Sequence, residues 1–343
     1  MDTITRIGLD LAKSVFEVHA MNAQEQVVLH RSLRRAQLLK WFAKLPPCLI
    51  GMEACGTAHH WARELTRLGH QVRLIPPAYV KAYLRRNKTD AADAAAICEA
   101  VGRPSMRFVP IRSVEQQATT VIHKAREMLV KQRTMITNSL RGLLAEFGVT
   151  VPEGPRHVSE LTARVADPED TTIPAGARVA LSGMIEVLNT LNEQIAALET
   201  RIRALVRENE GMRRLQTIPG VGPILASALA AIVTDPHHFD SGRDFAASLG
   251  LVPRQDGTGG KVKLGRISKR GNGYLRRLLV NGATAVLNSK NGASDPWRAR
   301  LLTTKPRKLA AVALANKTAR IVWAVMVRGE AYRPATGAVA AAG

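Results

Sequence analysis

The chain is poor in aromatic residues, which make up 4% of its 343 positions. Little is therefore available for a stacking platform that would hold single strands or RNA bases by ring contact. Cysteine is equally sparse: Cys48, Cys55 and Cys98 are odd in number and follow no CxxC spacing. They fit buried thiols in a reducing compartment better than a disulfide framework or a zinc site. The opening MDTITRIGLDLAK has neither the basic segment nor the apolar run of a signal peptide. No apolar stretch is expected to reach the roughly 18 residues that span a bilayer. The expectation is a cytoplasmic protein with no membrane partner. Acidic residues are the other shortage, with 28 Asp and Glu against 49 Lys and Arg, a formal net charge of +21. An excess of that size points to a polyanionic partner, because each phosphate neutralised releases counterions.

What is present reads as an α/β region followed by a mainly helical one. Residues 4–11, 15–21 and 26–31 carry the pattern of three short strands, and a helix from 34 to 44 stops at Pro46-Pro47. A buried strand at 48–53, a helix at 57–68 and a strand at 71–75 follow. Pro76-Pro77 opens a helical stretch, and Thr89 caps the helix that carries Asp90 and Asp93. A mixed sheet flanked by helices, of the RNase H kind, is the expected architecture of residues 1–112. Residues 113–210 read as long helices. One runs unbroken to about 147, and 148–182, rich in Pro, Gly, Asp and Thr, reads as a linker or loop region. Leu188, Leu191, Ile195, Leu198, Ile202 and Leu205 then follow a/d spacing over less than three heptads. That stripe would serve a coiled coil with a partner or packing against helix 113–147 equally well. Residues 211–330 read as a second compact helical domain with a glycine- and lysine-rich loop in its middle, and 331–343 as a frayed tail.

Four carboxylates stand out in the first region. Asp10 and Glu53 lie at the ends of strands, and Asp90 and Asp93, three apart on a helix, share one face. Convergent carboxylates repel one another unless cations sit among them. Mg²⁺ suits such hard oxygen donors while leaving positions for phosphate and water, and Mn²⁺ would substitute. Each acid alone is better explained structurally; it is the joint placement that points to a metal site for phosphoryl transfer, with one ion or two. His59 and His60 read as structural or phosphate-contact residues.

In the second half, Ile218-Pro219-Gly220-Val221-Gly222 resembles the turn of a helix-hairpin-helix, where small residues let a phosphate approach helix-start amides. Beyond it, the segment from Gly250 to Lys261 carries Arg254 and Thr258 among glycines. Lys263, Arg266, Lys269, Arg270, Arg276 and Arg277 follow. One hydroxyl among so many cations suits contact with a DNA strand. From the residues alone, the acids support metal-dependent phosphoryl transfer on nucleic acid, with a nuclease of the Holliday-junction resolvase type and a non-catalytic nucleic-acid-binding protein as alternative readings.

With these pieces in place, the chain resembles the IS110/IS1111-type transposases of bacterial insertion sequences over nearly its whole length. The resemblance rests on GLDLAK with Asp10, MEACG with Glu53, NKTDAADA with Asp90 and Asp93, IPGVG, GLVPRQ, GGKVKLGRISKRGNGYLRRLL and ALANKTARIVWAV. The wording from GGK to YLRR looks nearest the IS1111 branch. The resemblance implies a RuvC-like domain with a DEDD metal site, a helical transposase domain with a nucleophilic serine, assembly into homodimers or homotetramers, and an element-encoded guide RNA acting on DNA in the bacterial cytosol. In one respect the sequence departs from the pattern. Where family members carry a serine just before Gly-Gly-Lys, this chain has Thr258, and Ser268 lies outside the segment. A threonine hydroxyl can attack a phosphodiester, although its methyl group restricts the approach.

Overall fold

The computed structural model describes residues 3–83, 89–259, 261–290 and 295–333. Asn87 and Lys88 of the NKTDAADA motif, Gly260 and the tail from 334 lie outside the described residues. The chain divides into two compact units, Met1–Ser113 and Val114–Gly343.

The first unit is built on a five-stranded sheet. Its strands are β1 (Arg6–Leu11), β2 (Val15–Met21), β3 (Val27–Arg34), β4 (Leu49–Glu53) and β5 (Gln71–Ile75), in the order β3-β2-β1-β4-β5. The meander β1–β2–β3 is antiparallel, whereas β1–β4 and β4–β5 are parallel. Parallel neighbours need crossovers, supplied by α1 (Leu38–Phe42) and α2 (Ala58–Arg67). A short α3 (Pro77–Val80) precedes α4 (Asp90–Val101), which packs on β1, β2 and β4. This is the mixed sheet with flanking helices that the sequence suggests. Ile7, Leu9, Phe16, Val18, Ile50, Met52, Leu65 and Leu74 form its buried core. Cys48 and Cys98 are buried free thiols, and their burial raises both above the usual thiol range.

Among the described residues, the regular structure of the second unit is helical apart from one hairpin. The long helices α5 (Val114–Ala145) and α7 (Ala175–Glu208) lie against each other, tied by Arg126, whose Nε and Nη2 both donate to Glu199 Oε1 at 2.9 and 2.6 Å. On α7, Leu188, Leu191, Ile195 and Ile202 of the a/d stripe are buried. Residues 148–182 are not a linker: α6 (Val158–Ala166) lies within them, and α7 begins at Ala175. Pro174 caps the start of α7 there. Leu161, Val165, Ile173 and Leu181 join Leu140 and Leu144 of α5 in one apolar cluster. Pro155 and Pro174 in this stretch mark helix starts rather than absence of helix.

After α7 come α8 (Glu210–Gln216), α9 (Pro223–Ile232), α10 (Gly242–Ser248), α11 (Gly273–Asn288), α12 (Pro296–Thr304) and α13 (Arg307–Arg328). Their shared core includes Leu215, Leu225, Leu229, Phe245, Leu275, Leu279, Ala319 and Val322. Contrary to expectation, α13 is long and apolar enough to cross a membrane by length and composition. Its alanine-rich face (Ala310, Ala311, Ala315 and Ala319) is buried, and the helix packs against α10 and α11. The glycine- and lysine-rich segment is not a loop either. It forms the antiparallel strands β6 (Pro253–Thr258) and β7 (Lys261–Ile267).

His123 of α5 is buried at a meeting point of helices. Its Nε2 is hydrogen-bonded with Ser227 Oγ of α9 at 2.7 Å, and its Nδ1 with Tyr274 Oη of α11 at 2.9 Å. Burial first, and then the charge of Arg126, push its pKa down to about 4.

Candidate active site

β1 and β4 run in parallel register, with Gly8 opposite Gly51 and Leu9 opposite Met52. Asp10 and Glu53 stand at the next position, near the ends of their strands. Because side chains alternate, both acids project from the same sheet face as the two glycines. That face receives α4. A Cβ on Gly8 would collide with the carbonyl oxygen of Ala94 and the amide nitrogen of Cys98, and one on Gly51 would lie 2.7 Å from the Cβ of Val101. The two glycines thus form a seat in which the backbone of α4 rests directly on β1.

The seat sets the start of α4 beside the end of β1. Thr89 caps the helix, accepting a hydrogen bond from Ala92 N at 3.2 Å, and Asp90 and Asp93 occupy its first turn. Acids in a first turn are favoured by the helix dipole whatever their role. What is unusual is the company they keep: one carboxylate oxygen from each of Asp10, Asp90 and Asp93 lies within 4.8 Å of the others. Burial, followed by the charges of Asp93 and Asp90, pushes the Asp10 carboxyl up to about 6, with Glu53 the smallest contributor and the Leu11 amide opposing. Glu53 therefore acts on Asp10 through space but lies outside the tight group of three. A crowded set of hard oxygen donors, one of them reluctant to ionise, is the environment that a divalent cation relieves.

The sequence reading overlooked Gly8 and Gly51. Their signal was a repeated spacing, Gly8-Leu-Asp10 and Gly51-Met-Glu53, in which a glycine precedes each strand-borne acid by two residues. His59 is buried, and its Nδ1 accepts from the Arg112 amide at 3.2 Å, a structural role. His60 is exposed and packs its ring on Trp61.

In the second unit, Thr258 ends β6 and pairs with Lys261 across the turn, Asp256 pairs with Lys263, and Gly257 pairs with Val262. Every residue of β6 is exposed, and so is β7 up to Arg266. Arg254, Lys261, Lys263 and Arg266 thus line an open ribbon, and Lys269 and Arg270 follow it at the surface. Two of the expected contact residues have other engagements. Arg276 Nη1 donates to the carbonyls of Leu249 and Arg270 at 2.9 and 3.0 Å. Arg277 pairs with Glu127 at 2.8 Å and covers the Tyr274 ring.

The turn between α8 and α9 holds two glycines in different situations. Gly220 has φ 85°, and a Cβ there would lie 2.9 Å from the carbonyl oxygen of Gly282 on α11. Gly222 caps α9 in extended conformation with open space around it.

Comparison with known proteins agrees along the chain. The DEDD transposase model of the IS110 group matches residues 7–148, and the model described as "Transposase IS116/IS110/IS902 family" matches residues 212–298. A "Probable family 20 transposase" of Pseudomonas aeruginosa is 50% identical over 335 residues, covering 96% of this chain and 99% of that protein. The "Transposase for insertion sequence element IS1328" of Yersinia enterocolitica is 41% identical over 97% of this chain and 99% of its own. The "Transposase for insertion sequence element IS1111A" of Coxiella burnetii is 41% identical over 97% of this chain and 92% of its own. A DEDD transposase domain implies divalent-metal binding, and a transposase implies DNA as its partner. The chain belongs to the IS110/IS1111 family of insertion-sequence transposases and is a DNA transposase.

Proposed function

We propose that the protein cuts and rejoins the DNA of an insertion sequence by metal-assisted phosphoryl transfer, with a covalent link between the DNA and Thr258. The observation that carries this reading is the convergence of Asp10, Asp90 and Asp93 at the end of β1. Together with Glu53 they would hold Mg²⁺, or Mn²⁺ in its place. A cation bound there would neutralise charge that develops on the reacting phosphate. Thr258 Oγ1 forms the new bond to phosphorus and gives its proton to solvent, while the displaced deoxyribose oxygen takes a proton up. Arg254, Lys261, Lys263, Arg266, Lys269 and Arg270 hold the backbone phosphates, with Arg276 and Arg277 shaping the surface beneath them.

The finer organisation follows the same reading. Residues 1–112 act as the RuvC-like catalytic domain, 113–210 as a helical segment and 211–330 as the transposase domain. The pair α8–α9 serves as a helix-hairpin-helix, with Gly222 at the phosphate and Gly220 holding the turn. The a/d stripe of α7 forms its coiled coil with α5 inside the chain, and the protein assembles into a homodimer or homotetramer. A guide RNA encoded by the element directs the choice of DNA, in the cytoplasm.

Two measurements test the chemistry. Asp10→Asn should abolish the rise in melting temperature that Mg²⁺ gives the native protein, and should lower strand cleavage by at least about a hundredfold. Denaturing gels should trap labelled DNA on the native protein and on Thr258→Ser, but not on Thr258→Ala. Cleavage that persists in Thr258→Ala with no adduct would instead identify a nuclease that uses water.

A further inference from the structure

Away from the acids and the hairpin, the helices α5, α6 and α7 border a half-open cleft of about 580 Å³. Arg133, Asn138 and Arg141 line it from α5, Leu188 and Asn192 from α7, and Val158 from the start of α6. The volume lies within the range of small-ligand sites. Its walls are mixed. Leu188 is buried and Val158 half-buried, giving an aliphatic floor, while the two asparagines offer both donors and acceptors.

The arginines are only partly engaged. Arg141 donates through Nη2 to the carbonyl of Gly154 at 2.8 Å and through Nη1 to Asn138 Oδ1 at 3.5 Å, but its buried Nε has no hydrogen-bond partner. Arg133 reaches Asn192 Oδ1 at 3.5 Å, the long limit of a hydrogen bond. Eight residues apart on one helix, the two cations stand about 12 Å from each other along its axis, one towards each end of the cleft. Glu153 at the rim is the one acid in the lining.

We propose that this cleft takes an unpaired nucleotide, with the strand's phosphates at Arg133 and Arg141 and the base inside. A base has an apolar face for the floor at Val158 and Leu188 and a polar edge for Asn138 and Asn192. An aliphatic floor does here what the scarce aromatic residues cannot. A duplex cannot enter, because its bases are stacked and paired. The site rests on nucleic acid being the partner and is independent of the Thr258 chemistry.

Photocrosslinking tests this on the full-length protein, with 4-thiouridine in single-stranded RNA and 4-thiothymidine in single-stranded DNA of mixed sequence. Crosslinked peptides should map to residues 133–141, 153–158 or 188–192. Asn192→Leu, at an exposed position, and Arg141→Met should each weaken single-strand binding by about tenfold and leave duplex binding unchanged. An effect confined to the RNA probe identifies the guide strand as the source, and an equal effect on both probes identifies unpaired DNA as well. Crosslinks that map elsewhere, or Asn192→Leu protein that binds both single-stranded probes at native affinity, would overturn the proposal. A melting curve run beside each variant separates loss of the site from loss of fold.

Discussion

Gly8 and Gly51 face each other across the parallel β1–β4 pair, and α4 lies on both. Asp90 and Asp93, the acids in the first turn of α4, are therefore placed by two residues that have no side chains. Adding one methyl group at Gly8 must lift the helix or bend the strand. Overpacking of this kind costs about 1–3 kcal/mol. Gly8→Ala is expected to lower the melting temperature and, at temperatures where it remains folded, to weaken Mn²⁺ binding measured by electron paramagnetic resonance. Ala94→Gly would not restore binding, since the clash is with the Ala94 carbonyl oxygen.

His123 gives the second unit a pH dependence of known sign. Its pKa falls from the ordinary 6.5 to about 4 in the folded protein. The unfolded chain thus takes up the proton first, and stability contributed by the neutral ring is complete above 6.5 and lost as pH falls from 6.5 towards 4. The shift corresponds to about 3 kcal/mol. Urea unfolding followed between pH 7 and pH 4.5 should show this slope in the native protein. His123→Gln should be less stable at pH 7 and should lack that part of the slope.

The two turn glycines should respond differently to alanine. Gly220→Ala meets both a positive φ and the Gly282 carbonyl, so a loss of at least about 2 kcal/mol in stability is expected. Gly222→Ala meets neither obstacle. It should fold normally and bind duplex DNA more weakly in a filter or anisotropy assay. Native DNA affinity in well-folded Gly222→Ala would remove the turn from the contact surface.

The basic residues divide in the same way. Lys263 is exposed on the ribbon, so Lys263→Gln should reduce the slope of log affinity against log salt by about one. Arg276 is committed to two backbone carbonyls. Arg276→Met should lower the melting temperature and leave the salt slope unchanged.

The sheet was legible in the sequence because alternation and Pro or Gly punctuation act locally. The convergence of Asp10 with Asp90 and Asp93 was legible for a related reason: strand ends and a capped first turn can be placed without knowing the tertiary structure. The glycine seat was not, since it joins segments distant in sequence, Gly8 with Ala94 and Cys98 and Gly51 with Val101. The hairpin was hidden by its composition. Lys261-Val262-Lys263-Leu264 alternates like a strand, but both faces are exposed, and glycines and cations dominate the stretch. Residues 148–182 misled in the opposite direction, because prolines that start helices also occur in loops. Valine, leucine and isoleucine together with alanine give α13 the composition of a membrane span, although its alanine face is buried in the helical core.

The β6–β7 ribbon contributes almost nothing to any core, as all of β6 and nearly all of β7 is exposed. Folding therefore exerts little selection on it. A serine, a threonine or an alanine at position 258 would give proteins that express, melt and purify alike, and only a reaction on DNA would tell them apart. On the role proposed for Thr258, copies of such an element would lose their chemistry at this ribbon while keeping an intact protein, and a screen for soluble, stable variants would pass over the loss.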